Sequence, residues 1–242
     1  MLKRLEILYQ DQDLIVVNKP AGMLSIPDRF VPEKPNLVHQ LSLQFDKVWV
    51  VHRIDKETSG AICFALNADA HRALSQQFQN RTIGKKYWAL LDGCPTPNTG
   101  EIDRAIAPHP TVAGKMLPSS KGKSALTKYE LVEEFRYFSL VEAQILTGRT
   151  HQIRVHFASI GVPLAVDPLY GKRSELKLSE IKRKNFRMGQ EQQERPLMAR
   201  LSLHAHKLRL EQPSTHQEIE VEASLPKDFR ATLNQLRKWG QR

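Results

Sequence analysis

Two cysteines in 242 residues are too few for a disulfide framework or a four-cysteine metal site. Cys63 falls inside a short apolar run and Cys94 precedes Pro95, so a reducing cytoplasm is the expected setting. No apolar stretch approaches the ~18–20 residues that a membrane span needs. The start, Met1-Leu2-Lys3-Arg4-Leu5-Glu6, has neither an apolar h-region nor a small-residue cleavage site, so no secretory signal is expected. Zinc-protease spacing is missing as well. Among nine histidines, neither His151/His156 nor His204/His206 has the i, i+4 interval with an intervening glutamate, and no metal is expected. The sequence has no internal repeat and no linker rich in Gly, Pro or Ser, which predicts a single domain over 1–242.

Acidic residues are in deficit. Thirty-six Lys and Arg face 26 Asp and Glu, a net charge of +10. Such a balance favours a polyanionic partner, because neutralising phosphates releases counterions. A hydrophobic content of 40% still provides for a real core.

Local patterning predicts a mixed order of strands and helices without βαβ alternation. Ile7–Tyr9 and Leu14–Val17 flank the turn composition Asp11-Gln12-Asp13 and read as a hairpin. Leu37, Leu41 and Phe45 share helical spacing, as do Ala70, Leu74 and Phe78, with Asn67 or Asp69 as a cap. Strands are expected at Val48–Val51, Ala61–Leu66, Lys85–Asp92, Tyr137–Ala143, Leu201–Leu210 and Glu218–Ala223. A helix is expected from Thr150 to Gly161 and a last one through Phe229, Leu233 and Leu236. Residues 172–196 are polar and basic, as a surface insertion would be. The fold class expected is α+β, a largely antiparallel mixed sheet with flanking helices and loops.

The densest polar segment is Val51-His52-Arg53-Ile54-Asp55-Lys56-Glu57-Thr58-Ser59-Gly60, held between two apolar runs. A loop on rigid supports is where binding and catalysis concentrate. Taken one at a time its residues are ordinary: Asp55 could be a helix cap, and Glu57 could join it as a second glycosidase carboxylate. Two carboxylates at i, i+2 on one loop do not obviously flank a substrate, which disfavours the glycosidase. Similarly, Tyr87 alone suggests cross-strand packing, Arg154 a surface charge, and Leu203 core.

Four segments together carry more information. The decapeptide resembles the His-Arg-Leu-Asp-x-x-Thr-Ser-Gly signature of the RluA family of pseudouridine synthases, with Ile54 in place of the usual Leu. Lys85-Lys86-Tyr87-Trp88-Ala89 is similar to the family's Lys-x-Tyr-x-Ala. Gly148-Arg149-Thr150-His151-Gln152-Ile153-Arg154-Val155-His156 is similar to its Gly-Arg-Thr-His-Gln-Ile/Leu-Arg-x-His segment. Arg200-Leu201-Ser202-Leu203-His204-Ala205 is similar to its Arg-Leu-x-Leu-His-Ala strand. The resemblance runs from about residue 5 to about residue 225 and implies the pseudouridine synthase fold with a central RNA-binding cleft. It implies that Asp55 is catalytic, that Tyr87 packs against the target base, that Arg154 pairs with Asp55, and that Leu203 lines the pocket. Arg53 and Arg149 are the further substrate-binding candidates. Many relatives carry an N-terminal S4 module; none is expected before this chain's first hairpin.

The chemistry suits these residue types. Forming pseudouridine breaks the uracil N1–ribose C1′ bond and joins C5 to C1′, with no redox change and no group donor, so no cofactor is expected. The reaction needs a carboxylate as nucleophile or base, and a guanidinium beside it favours its charged form. It also needs an aromatic ring to hold an unstacked base. A stand-alone monomer acting on ribosomal or transfer RNA is the expected protein. A non-catalytic RNA-binding module is the competing reading, but such a module has no need of Asp55 with a cation and a ring.

Overall fold

The computed structural model describes residues 5–183, 186 and 193–241. Residues 184, 185 and 187–192, within the stretch expected to form a surface insertion, lie outside the described residues. The chain divides into two compact units. The first comprises residues 1–87 and 204–224, and the second residues 88–203 and 225–242. Two of the three boundaries fall inside strands, β5 (Gly84–Asp92) and β11 (Leu203–Glu211).

In the first unit, β1 (Glu6–Gln10) and β2 (Leu14–Lys19) form the expected hairpin, and β2 pairs antiparallel with β4 (Ser59–Ala65). All of β4 is buried and so is nearly all of β2, which is why both lack apolar/polar alternation. The short β3 (Trp49–Val50) also pairs with β4. On the other side of β4 lies β11, parallel to it through His204↔Ser59 and Ala205↔Gly60, and β12 (Glu218–Glu222) extends the sheet beyond β11. Helix α1 (Leu37–Ser42) starts at Asn36, whose side chain accepts the His39 N–H. Helix α2 (Ala68–Asn80) is capped by Asn67, which accepts the Ala70 N–H at 2.8 Å. Ala70 and Leu74 enter a core with Leu14, Val16, Cys63 and Leu208, and Phe78 packs against it.

In the second unit, β9 (Leu126–Glu134) pairs antiparallel with β10 (Phe138–Ile145), and β6 (Thr99–Asp103) adds to β9. A separate ribbon joins β7 (Ile106–Pro108) to β8 (Met116–Pro118). Helix α3 (Gln152–Ser159) is flanked by these strands, and α5 (Lys227–Trp239) buries Phe229, Leu233 and Leu236 as its spacing predicts. Around the basic stretch, the described residues are more structured than the composition suggests. Leu176, Ile181 and Met198 are core residues, Leu176 bridges to Met198, and α4 (Leu178–Lys182) carries Ile181 inward. No helix among the described residues is long and apolar enough to cross a membrane.

Candidate active site

The loop carrying Asp55 is built from the inside out. Lys19, the last residue of β2, is completely buried, and its ammonium donates to the carbonyls of Pro20 (3.0 Å), Met23 (2.7 Å) and Lys56 (2.8 Å). A buried cation is tolerated only when its donors are satisfied in this way. The Gly22 N–H donates to the same Lys56 carbonyl at 2.9 Å. Beside it, Ser25 clasps Ile54: its hydroxyl donates to the Ile54 carbonyl at 2.8 Å and accepts the Ile54 N–H at 3.3 Å. The Thr58 N–H closes a turn on the Asp55 carbonyl at 3.1 Å. Asp55 is therefore flanked on both sides by residues whose backbone is pinned, while its own side chain is half-buried.

The exit from the loop admits only glycine. Gly60 has φ 115°, and a Cβ there would lie 2.1 Å from the Ala205 carbonyl oxygen. Next to it the Ser59 hydroxyl meets His204 Nδ1 at 2.9 Å, and His204 Nε2 meets the Ala223 carbonyl at 3.1 Å. A carbonyl only accepts, so Nε2 carries a proton. His204 thus bridges β4 to the Ala223 carbonyl.

His52 is structural too. Its Nε2 accepts the Cys63 N–H at 3.0 Å and its ring stacks on Phe78 at 4.4 Å. Burial, with Lys85 adding repulsion, holds its pKa down to about 3. Unfolding therefore lets His52 take up a proton between about pH 6.5 and pH 3, so stability is lost as pH falls through that window. The prediction is measured by denaturant unfolding over a pH series. In His52→Gln, which keeps an acceptor for Cys63, ΔG should fall less steeply, by about 1.4 kcal/mol per pH unit. Equal slopes for the two proteins would refute it.

Tyr87 lies in the same unit as Asp55 and is 8% exposed. Burial, then the negative charge of Asp55, push its phenol well above the ordinary tyrosine value. The ring is therefore neutral at any physiological pH and close enough to the carboxylate to feel its field. Arg53, two residues before Asp55, is exposed.

The second unit holds Arg154, Arg149 and Leu203. Far from being a surface charge, Arg154 is buried on α3 and grips the fully buried Asp167 through two parallel bonds, Nε to Oδ2 and Nη2 to Oδ1, each 2.8 Å. Asp167 also accepts the N–H groups of Leu169 (2.9 Å) and Tyr170 (3.1 Å). The Tyr170 ring lies 4.9 Å from the guanidinium carbon, and its hydroxyl accepts the Met116 N–H at 2.7 Å. The fork is thus fixed in plane and direction. Gln152 orders the start of α3: its Oε1 accepts the Thr147 hydroxyl and the Arg149 N–H, and its amide donates to Leu126 O and Thr127 Oγ1. The Arg149 side chain donates to the Ser124 carbonyl at 3.0 Å. Leu203 is buried at the start of β11, following Ser202, whose hydroxyl donates to Leu90 O and accepts Val166 N–H.

The sequence places Lys19 in the break after the second strand and Asp167-Pro168-Leu169-Tyr170-Gly171 after the Arg154 segment, but gives Lys19, Ser25, Asp167 and Tyr170 no role in the site. The signal for Lys19 is a lysine closing an otherwise apolar strand before Pro-Ala-Gly; that for Asp167 and Tyr170 is Asp-Pro-Leu-Tyr-Gly directly after the Arg154 helix. Among the described residues no group of three or more His, Cys, Asp or Glu gathers as a metal would require.

A family model described as RNA pseudouridylate synthase matches residues 13–159. The chain is 38% identical over 244 residues to "Uncharacterized RNA pseudouridine synthase YlyB" of Bacillus subtilis, covering 98% of this chain and 74% of that one. It is 35% identical over 250 residues to "Ribosomal large subunit pseudouridine synthase D" of Haemophilus ducreyi, covering 98% and 72%. Among solved structures, "Human RNA Pseudouridylate Synthase Domain Containing 4" aligns with a TM-score of 0.74 at 27% identity, covering 96% of this chain and 93% of that one. The chain belongs to the RNA pseudouridylate synthase family, as a member of its RluA type. Its α+β fold is the pseudouridine synthase fold, and its activity is the isomerisation of uridine to pseudouridine in RNA.

Proposed function

We propose that this enzyme modifies uridines of large-subunit ribosomal RNA, with the Asp55 carboxylate as the reacting group. The proximity of Asp55 to the buried, neutral Tyr87 ring, on a loop pinned by Lys19 and Ser25, is the observation that carries this reading. The relatives named as ribosomal large subunit enzymes supply the substrate class.

The reaction is balanced within the nucleoside. The N1–C1′ bond breaks, the uracil turns, the C5–C1′ bond forms, and the proton lost from C5 is matched by one gained at N1. Asp55 acts on the nucleoside as nucleophile or base, and Arg154, held by Asp167 and Tyr170, supplies the cation that keeps a carboxylate ionised. Tyr87 offers its π-face to an unstacked base and, as a neutral phenol, is no base at neutral pH. Leu203 excludes water from the detached uracil, while Arg53 and Arg149 meet the RNA backbone.

The test is chemical mapping of pseudouridine in ribosomal and transfer RNA from cells with and without the gene. At least one large-subunit site should disappear and return on complementation. Loss confined to transfer RNA would overturn the substrate assignment, and unchanged maps with inactive purified protein would overturn the assignment to this chain.

A further inference from the structure

The second unit bears an exposed cluster that none of the four motifs contains. Tyr137 and Trp239 are 39% and 38% exposed, and each stacks with a cation. The Arg183 guanidinium carbon lies 3.5 Å from the Tyr137 ring centre, and the Lys182 and Lys238 ammonium groups lie 4.2 and 5.1 Å from the Trp239 ring. Lys182 and Arg183 are consecutive, so the two stacks are neighbours. Arg136 adjoins Tyr137 and is likewise exposed. Among the described residues none of these four cations has a carboxylate within ion-pair distance, whereas the nearby carboxylates are engaged. Asp92 is held by Lys172 and Arg173, and Glu180 by Arg173. A groove of about 720 Å³ runs alongside, lined by Tyr137, Arg136 and Arg183 together with those paired groups.

Two partly exposed aromatic rings, flanked by cations that have no ion-pair partner among the described residues, form a stacking platform with an electrostatic track, the combination that binds unpaired nucleotides without base preference. A groove of this size accommodates a nucleotide. We propose that this cluster is a second RNA-contact site, taking two consecutive unpaired nucleotides with their bases on the Tyr137–Arg183 and Trp239–Lys182 stacks and their phosphates on Arg136 and Lys238. The proposal rests on the reading of this chain as an RNA-modifying enzyme and adds where a single-stranded flank of the substrate is held.

The test uses a labelled single-stranded RNA without uridine, its duplex form, and fluorescence anisotropy at several salt concentrations. Tyr137→Ala/Trp239→Ala should weaken the single strand about tenfold with little change for the duplex. Arg183→Glu, an exposed change that spares the fold, should also weaken it and lower the salt slope by about one phosphate equivalent. At saturating substrate RNA both variants should turn over like wild type with a raised KM. Single-strand affinity within about twofold of wild type in both variants, or equal losses for single strand and duplex, overturns the proposal. Asp55→Asn separates the two readings: it tests the chemistry and should bind the uridine-free strand as wild type does.

Discussion

Asp55→Asn protein should bind its RNA substrate at least as tightly as wild type and form no pseudouridine. The substitution keeps the shape of the side chain and removes its charge, so neither a nucleophile nor a base remains at that position. Turnover should drop by about four orders of magnitude or more, equivalent to roughly 5.5 kcal/mol of transition-state stabilisation. Binding should respond in the opposite direction, because deleting a negative charge from a surface that meets a polyanion removes repulsion. Single-turnover assays with tritium release or chemical mapping, alongside filter binding, measure both quantities. Asp55→Ala checks that the effect does not depend on the amide. A variant retaining about a hundredth or more of wild-type turnover would remove Asp55 from the chemistry.

Arg154→Met should destabilise the second unit by about 3–5 kcal/mol, because it leaves the fully buried Asp167 without its cation. Arg154→Lys should cost less, since a charge remains, but it cannot reproduce the two parallel bonds and should still impair turnover. Asp167→Leu combined with Arg154→Met should recover part of the stability and none of the activity. Recovery is partial because the Leu169 and Tyr170 N–H groups lose their acceptor. Tryptophan fluorescence in a urea titration reports on this unit through Trp88 and Trp239. A loss below about 1 kcal/mol for Arg154→Met would mean that the pair is solvated and the guanidinium free to move.

What could be read in advance follows the range of the interactions. The β4 run, the Asn67 cap and the Ala70/Leu74/Phe78 face are local, and each took the form its pattern predicts. The end of α3 also follows its pattern, but its start lies at Gln152 rather than Thr150, because His151 takes a left-handed conformation (φ 55°) that interrupts the helix. Arg154 shows where local reasoning stops. Its position off the apolar face suggests solvent, yet Asp167, thirteen residues on, draws it inside. Lys19 was hidden for the same reason: periodicity counts lysine as surface, and only the convergence of three carbonyls makes a buried site for it. In the 172–196 stretch, polar composition hid Leu176 and Ile181, whose burial depends on α5 and β10 partners distant in sequence. Of the candidate site residues, Asp55 and Tyr87 fall together in one unit, and Arg154, Arg149 and Leu203 in the other.

The pairing of Ser59 and Gly60 with His204 and Ala205 bears on when the enzyme can mature. One side of the loop's exit is held by β2, through Lys19↔Gly60, but the strand that holds the other side is made 145 residues after Ser59. Closing so long a loop carries a large entropic cost before any reward. The nascent chain therefore carries the Asp55 loop on an unfinished support until β11 has been made and paired.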